Sequence, residues 1–141
     1  MTTHRPDTNR AAAEAIYARF ADPAGGRAAG YEVLHDDIVF ECPFYADFEP
    51  RVGRGVVEAM MRRMDEGEAY FSQQRFASHE LLATGDPGRF IIEAQGDHVI
   101  AATGKAYRNH YFHCLQIEDG KVVRWTEYSN PNEHARAASA D

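Results

Sequence analysis

Apolar positions along the chain recur first with helical spacing and then, after Gly67, with the two-residue alternation of strands. Ala13, Ile16, Tyr17 and Phe20 form an i, i+3, i+4, i+7 stripe. The spacing predicts a helix capped by Thr8 or Asn9, running to about Phe20 and stopped by Asp22-Pro23. A glycine-weakened helix is expected over Arg27 to Leu34 with Tyr31 and Leu34 facing inward, then a short strand, Ile38 to Cys42, ended by Pro43. Phe44 to Arg54 reads as an aromatic, acidic loop. Val57, Met60, Met61 and Met64 mark a third helix that Gly67 closes.

Three strand signals follow. Ala77 to Thr84 and Phe90 to Val99 flank the turn Gly85-Asp86-Pro87-Gly88. Tyr107 to Pro131 then reads as a hairpin about Asp119-Gly120, a dipeptide suited to a two-residue type I′ turn. Counting outward pairs Glu118 with Lys121, Cys114 with Trp125, Phe112 with Glu127 and His110 with Ser129. One face then carries His110, Phe112, Cys114, Gln116, Val123, Trp125, Glu127 and Ser129. The other carries Tyr111, His113, Leu115, Ile117, Val122, Arg124, Thr126 and Tyr128. Both are apolar, so a homodimer through the outer sheet face is expected. Residues 1–8 read as a flexible start and 133–141 as a flexible tail, at most a frayed helix.

Helices followed by antiparallel strands indicate one α+β domain over residues 1–141, a bent sheet wrapped round helices with a conical pocket. Composition narrows the partners. A net charge of −7 with scattered basic residues speaks against nucleic acid and anionic membrane. No apolar run approaches the roughly 20 residues of a membrane span. The polar N-terminal stretch lacks a secretory signal's apolar region. Cys42 and Cys114 have no metal-motif spacing and read as buried thiols in a reducing cytoplasm. No glycine-rich phosphate loop or dinucleotide fingerprint is present, so no cofactor is implied.

Several residues bring specific homologues to mind. Asn109-His110-Tyr111-x-His113, Asp119-Gly120 and Arg124-x-x-Glu127-x-x-Asn130-Pro131 resemble the C-terminal half of the phenazine biosynthesis A/B proteins. Those belong to the NTF2-like superfamily, with SnoaL-type polyketide cyclases, ketosteroid isomerase and scytalone dehydratase. A weaker echo lies at Phe90 to Gly96 and at Gly53-Arg54-Gly55. The resemblance implies a cone-shaped NTF2-like fold, usually dimeric, with an acid/base residue at Glu127. The chain departs from the phenazine proteins at Val56, where they have a histidine, and lacks their basic, glycine-rich segment before the last hairpin. The resemblance therefore implies the fold and not the phenazine substrate.

On the residues themselves, Glu127 beside Trp125 and Phe112 is costly as a charge unless it is paired, exposed or kept for chemistry. It is the expected general acid/base, the alternative being a carboxylate that caps backbone or pairs with arginine. His110, diagonal to it, either shares its proton or is a core histidine bonded to backbone. His113 points to the opposite face, toward a subunit interface. His110 and His113 therefore cannot chelate one ion, and His4, His35, His79, His98 and His134 lack ligand spacing, so no metal is expected. Ser129 lacks a nucleophile elbow. Tyr17, Phe40, Tyr45, Met60, Met64, Glu93, Tyr107, Phe112, Cys114 and Trp125 complete the expected substrate-binding set. Asp47 and Glu41 are candidates for a second acid. These features lead to a small-molecule enzyme of secondary metabolism, an isomerase, cyclase or dehydratase. Its substrate would be largely apolar and carbonyl-bearing or unsaturated. The alternatives are a non-catalytic ligand-binding protein and epoxide opening by activated water.

Overall fold

The computed structural model describes residues 6–66 and 70–141. Helix α1 spans Pro6–Ala21 and α2 Arg27–Glu32; α3 spans Arg54–Glu66 and α4 Pro131–Ala138. Strand β1 is Leu34–Glu41, β2 Arg51–Val52, β3 Phe71–Gln73, β4 Phe76–Ala83 and β5 Arg89–Gly96. Strand β6 is His98–Ile100, β7 Ala106–Tyr107, β8 His110–Glu118 and β9 Lys121–Tyr128. The large sheet has the order β2-β1-β9-β8-β5-β4, and β3-β6-β7 form a small second sheet. All pairings are antiparallel except β1 with β9, so the N-terminal strand joins the sheet beside the last hairpin strand.

Helix α1 lies across β4, β5, β8 and β9, and α3 packs on β1. Ala13, Ile16 and Phe20 of α1 and Val57 and Met61 of α3 are buried as their spacing predicts, and Ala12 is buried with them. They meet Leu34, Ile38, Phe40, Ile92, Leu115, Ile117, Val122 and Trp125 of the sheet. Asn9 is not a cap. It lies inside α1, fully buried, where its Oδ1 accepts the Gly120 amide at 2.9 Å and its Nδ2 donates to Pro87 O at 3.4 Å.

The turn residues Asp119 and Gly120 both have positive φ, 49° and 76°, as a type I′ turn requires. Pairing leaves the turn as expected, Glu118 with Lys121 and Ile117 with Val122. It then slips, because Val123 is bulged out and Gln116 faces Arg124. Beyond it Leu115 faces Trp125, Cys114 faces Thr126, His113 faces Glu127 and Phe112 faces Tyr128. The expected face is therefore wrong along β8: Tyr111, His113, Leu115 and Ile117 point inward, and His110, Phe112, Cys114 and Gln116 outward.

Other differences have local causes. Leu34 is buried as expected but opens β1, so α2 is shorter than its apolar pattern. The strand expected over Phe90 to Val99 splits at Gly96. A side chain there would strike His98 Nε2 at 2.7 Å and Tyr111 Cε2 at 2.8 Å, so only glycine lets the chain turn into the small sheet. The alanine-rich tail forms α4, where Asn130 Oδ1 accepts the Asn132 amide and Ala137 is buried against Ile100 and Tyr107. Of the expected flexible start, residues 1–5 lie outside the described residues and 6–8 are in α1; the Gly67 stop also lies outside them.

Candidate active site

The helix-covered face of the sheet leaves a cavity of about 100 Å³. Phe20, Phe40, Met60, Met61, Phe71, Phe76 and Trp125 give it apolar walls. Met64 and Arg27 reach solvent at its edge. Besides His98 and Tyr111, its polar side chains fall into two groups.

The first is Glu127 with its neighbours. Its side chain is 22% exposed and lines the cavity. Oε2 accepts a weak S–H bond from Cys42 at 3.4 Å, and Oε1 lies 3.7 Å from His113 Nε2. Among the described residues no lysine or arginine pairs with this carboxyl. Burial therefore pushes it up to about 7, and the Cys42 contact opposes that shift only weakly. The same burial raises the Cys42 thiol, with the Glu127 charge adding to it. His113 Nδ1 accepts the Trp125 indole N–H at 2.8 Å. An indole nitrogen only donates, so the ring proton of His113 sits on Nε2, facing Glu127. Burial, then the nearby Arg19 charge, lowers His113 to about 3. The ring is neutral near pH 7, so the 3.7 Å approach is not an ion pair.

The second group joins the three helices that cover the cavity. Asp65 of α3 takes both Arg19 guanidinium nitrogens, at 2.9 and 2.6 Å. It also accepts the Tyr31 hydroxyl, and its backbone carbonyl accepts from Arg27. Arg62 lies 4.1 Å over the Tyr31 ring. Asp65 is the other carboxylate lining the cavity, and it is committed to these contacts.

The sequence-derived set divides accordingly. Glu127, Phe40, Met60, Met64 and Trp125 line the cavity. His110 does not share a face with Glu127: it points outward, with Nε2 2.9 Å from the Glu93 carboxylate. Phe112 and Cys114 are on that outer face too, displaced there by the register slip, and Glu93 of β5, opposite Phe112, shares it. Tyr17 bonds His79 of β4 at 2.6 Å and does not line the cavity. Tyr45 bonds Ser129 at 3.0 Å, and Tyr107 belongs to the α4 cluster. Glu41 is taken by Arg124 and Thr126, and Asp47 is exposed. The residues missed are chiefly His113, Tyr111, Arg19, Arg27, Asp65 and His98. No local signal marked the bulge, because Val123, as apolar as Val122 and two residues from Trp125, fits an unbroken alternation. Among the described residues no three His, Cys, Asp or Glu side chains gather to hold a metal, and no helix is long and apolar enough to cross a membrane.

A model of the SnoaL-like domain family matches residues 13–125, from the middle of α1 to Trp125. The chain belongs to the SnoaL-like domain family. Phenazine biosynthesis protein PhzA2 of Pseudomonas aeruginosa is 32% identical over 92 residues, 63% of this chain and 56% of that protein. The chain thus matches little more than half of that relative's length. The crystal structure of the phenazine biosynthesis-related protein PhzB2 from Pseudomonas aeruginosa superposes with a TM-score of 0.75. It is 21% identical and covers 96% of this chain and 85% of its own. An NTF2-like protein from Burkholderia xenovorans gives 0.74 at 16% identity, with 94% and 97% covered. These structures show the α+β NTF2-like fold for this SnoaL-like chain.

Proposed function

We propose that this SnoaL-like protein is a cofactor-free acid/base enzyme of secondary metabolism, an isomerase, cyclase or dehydratase with Glu127 as its proton-transfer group. The observation that carries this reading is a carboxyl with no lysine or arginine partner among the described residues, pushed up to about 7 and facing an apolar cavity. A group that titrates near the working pH takes and returns protons with least penalty in either direction. The walls suit a small, largely apolar substrate, carbonyl-bearing or unsaturated. Glu127 takes a proton from carbon next to the carbonyl, and the electron pair moves onto oxygen as an enolate. Glu127-H then returns that proton to another position of the same molecule, or to a leaving hydroxyl. Kinship in sequence to a phenazine biosynthesis protein supports the secondary-metabolic setting. Two free cysteines suit a cytoplasmic location, and the net charge of −7 disfavours nucleic acid as partner.

The test is a carboxyl-carbon NMR titration of Glu127 in the ligand-free protein. A midpoint near 7 is expected. A midpoint at the ordinary value of 4.5 would remove the catalytic reading and leave a ligand-binding protein. Epoxide opening needs a second free acid beside Glu127, and Asp65, the other lining carboxylate, is bound to Arg19, Arg27 and Tyr31.

The protein is further proposed to be a homodimer through the outer sheet face. The corrected register puts Phe112, 41% exposed, beside Tyr128 there, with Phe44, 60% exposed, edge-on to the Tyr128 ring. Such adjoining aromatic area is a self-association surface. Light scattering should give twice the chain mass, and Phe112→Asp should return it to one. A native protein monomeric at micromolar concentration would end this proposal.

A further inference from the structure

The pairing of β8 with β9 puts an imidazole between an indole and a carboxyl. Trp125 and Glu127 are two apart on β9 and share a face; His113 lies directly opposite Glu127 and diagonal to Trp125. The indole Nε1 donates to His113 Nδ1 at 2.8 Å, and His113 Nε2 is 3.7 Å from Glu127 Oε1. We propose that Trp125 is a positioning residue that holds His113 in its Nε2–H tautomer, so that the ring always turns a donor, never a lone pair, toward Glu127.

The inference rests on Glu127 being the acid/base group and concerns how it remains the proton acceptor at that spot. A free neutral imidazole carries its proton on either nitrogen. With the other tautomer, a bare Nε2 would face Glu127 and compete for the proton that the carboxyl takes from substrate. Locked, the ring turns only its N–H dipole toward the carboxylate, at 3.7 Å, beyond hydrogen-bond reach, and offers it no competing lone pair. A second proton on His113 would have to sit on Nδ1, where the indole hydrogen already lies. The groups facing the ring act in the same sense with one exception. From α1, Phe20 packs with ring centroids 4.8 Å apart, and the Arg19 cation opposes a positive ring. Tyr111 of β8 stacks at 24° and is neutral. Glu127, with Cys42 just beyond β1 on its far oxygen, is the group that favours imidazolium, and it is itself half-protonated near pH 7.

The experiment uses the ligand-free native protein with nitrogen-labelled histidine. Long-range nitrogen–proton spectra should show His113 protonated at ε2 and bare at δ1, unchanged between about pH 5 and 8. Trp125→Phe keeps an aromatic ring and removes the donor. Its His113 should show mixed tautomers or take up a proton within that window, and the Glu127 midpoint should move from its native value. A native ring protonated at δ1 or averaged between tautomers would overturn the proposal, as would a Trp125→Phe spectrum and Glu127 midpoint identical to the native ones. The native spectrum stands as a test even where the variant does not fold. None of these readouts requires turnover: a native Glu127 midpoint at the ordinary value would remove the catalytic reading while leaving the tautomer result to be judged separately.

Discussion

Glu127→Gln is expected to lose turnover by about 10²- to 10⁴-fold, the range ascribed to a positioned acid/base group, and at the same time to gain stability above pH 7. The two effects share one cause. The folded carboxyl titrates near 7, above the 4.5 of an unburied one, so the folded state favours its protonated form. Stability from that raised value is fully present below pH 4.5 and is lost as pH rises through 7. Above that range the native protein holds a desolvated negative charge that the amide lacks. A shift of this size corresponds to roughly 3 kcal/mol. The difference between variant and native should therefore be near zero below pH 4.5 and reach up to about 3 kcal/mol in favour of the variant above pH 7. Urea unfolding of both proteins at the two pH values measures it. A variant equally destabilised at both would show that the carboxylate is held by structure, not for chemistry.

Asp65→Asn should be the most damaging single change outside the apolar core. Asp65 is 7% exposed, and Arg19, bound to it through two nitrogens, is 13% exposed. The amide leaves the Arg19 charge buried without its counter-ion. Removing one partner of such a pair costs about 3–5 kcal/mol, because the desolvated partner stays behind. Arg27, more exposed at 26%, recovers water and adds little. The loss should appear as a lowered urea midpoint with an unchanged slope. Since Asp65 joins α1, α2 and α3, the variant's cavity should also bind an apolar dye that the native protein excludes. A midpoint unchanged within error would show that the three helices are held by their apolar contacts alone.

Much of the architecture was legible because it depends on short-range periodicity. The stripe Ala13, Ile16, Phe20, the helix carrying Val57 and Met61, and the Asp119-Gly120 turn all stand where their patterns put them. So does Glu127, whose inward aim beside Trp125 is right although its expected neighbours on β8 are not. On the hairpin the error is one of parity. Counting outward from a turn assumes an unbroken ladder, and the single extra residue at Val123 inverts one strand against the other. That exchange removed His110, Phe112 and Cys114 from the expected site and brought in His113 and Tyr111. Arg19 and Asp65 were illegible for another reason. They are 46 residues apart and meet only when two helices cross the same cavity, and no local pattern encodes that meeting.

The joint at Gly96 has a consequence for how ligands are chosen. Phe71 and His98 belong to the minor sheet yet form part of the chamber's lining, so the angle between the two sheets fixes its width. That angle depends on a position where even a methyl group collides with two aromatic rings. The joint between the sheets therefore tolerates no side chain at that position. Selectivity among guests is left to the side chains that furnish the walls, which can be exchanged while the frame stays in place.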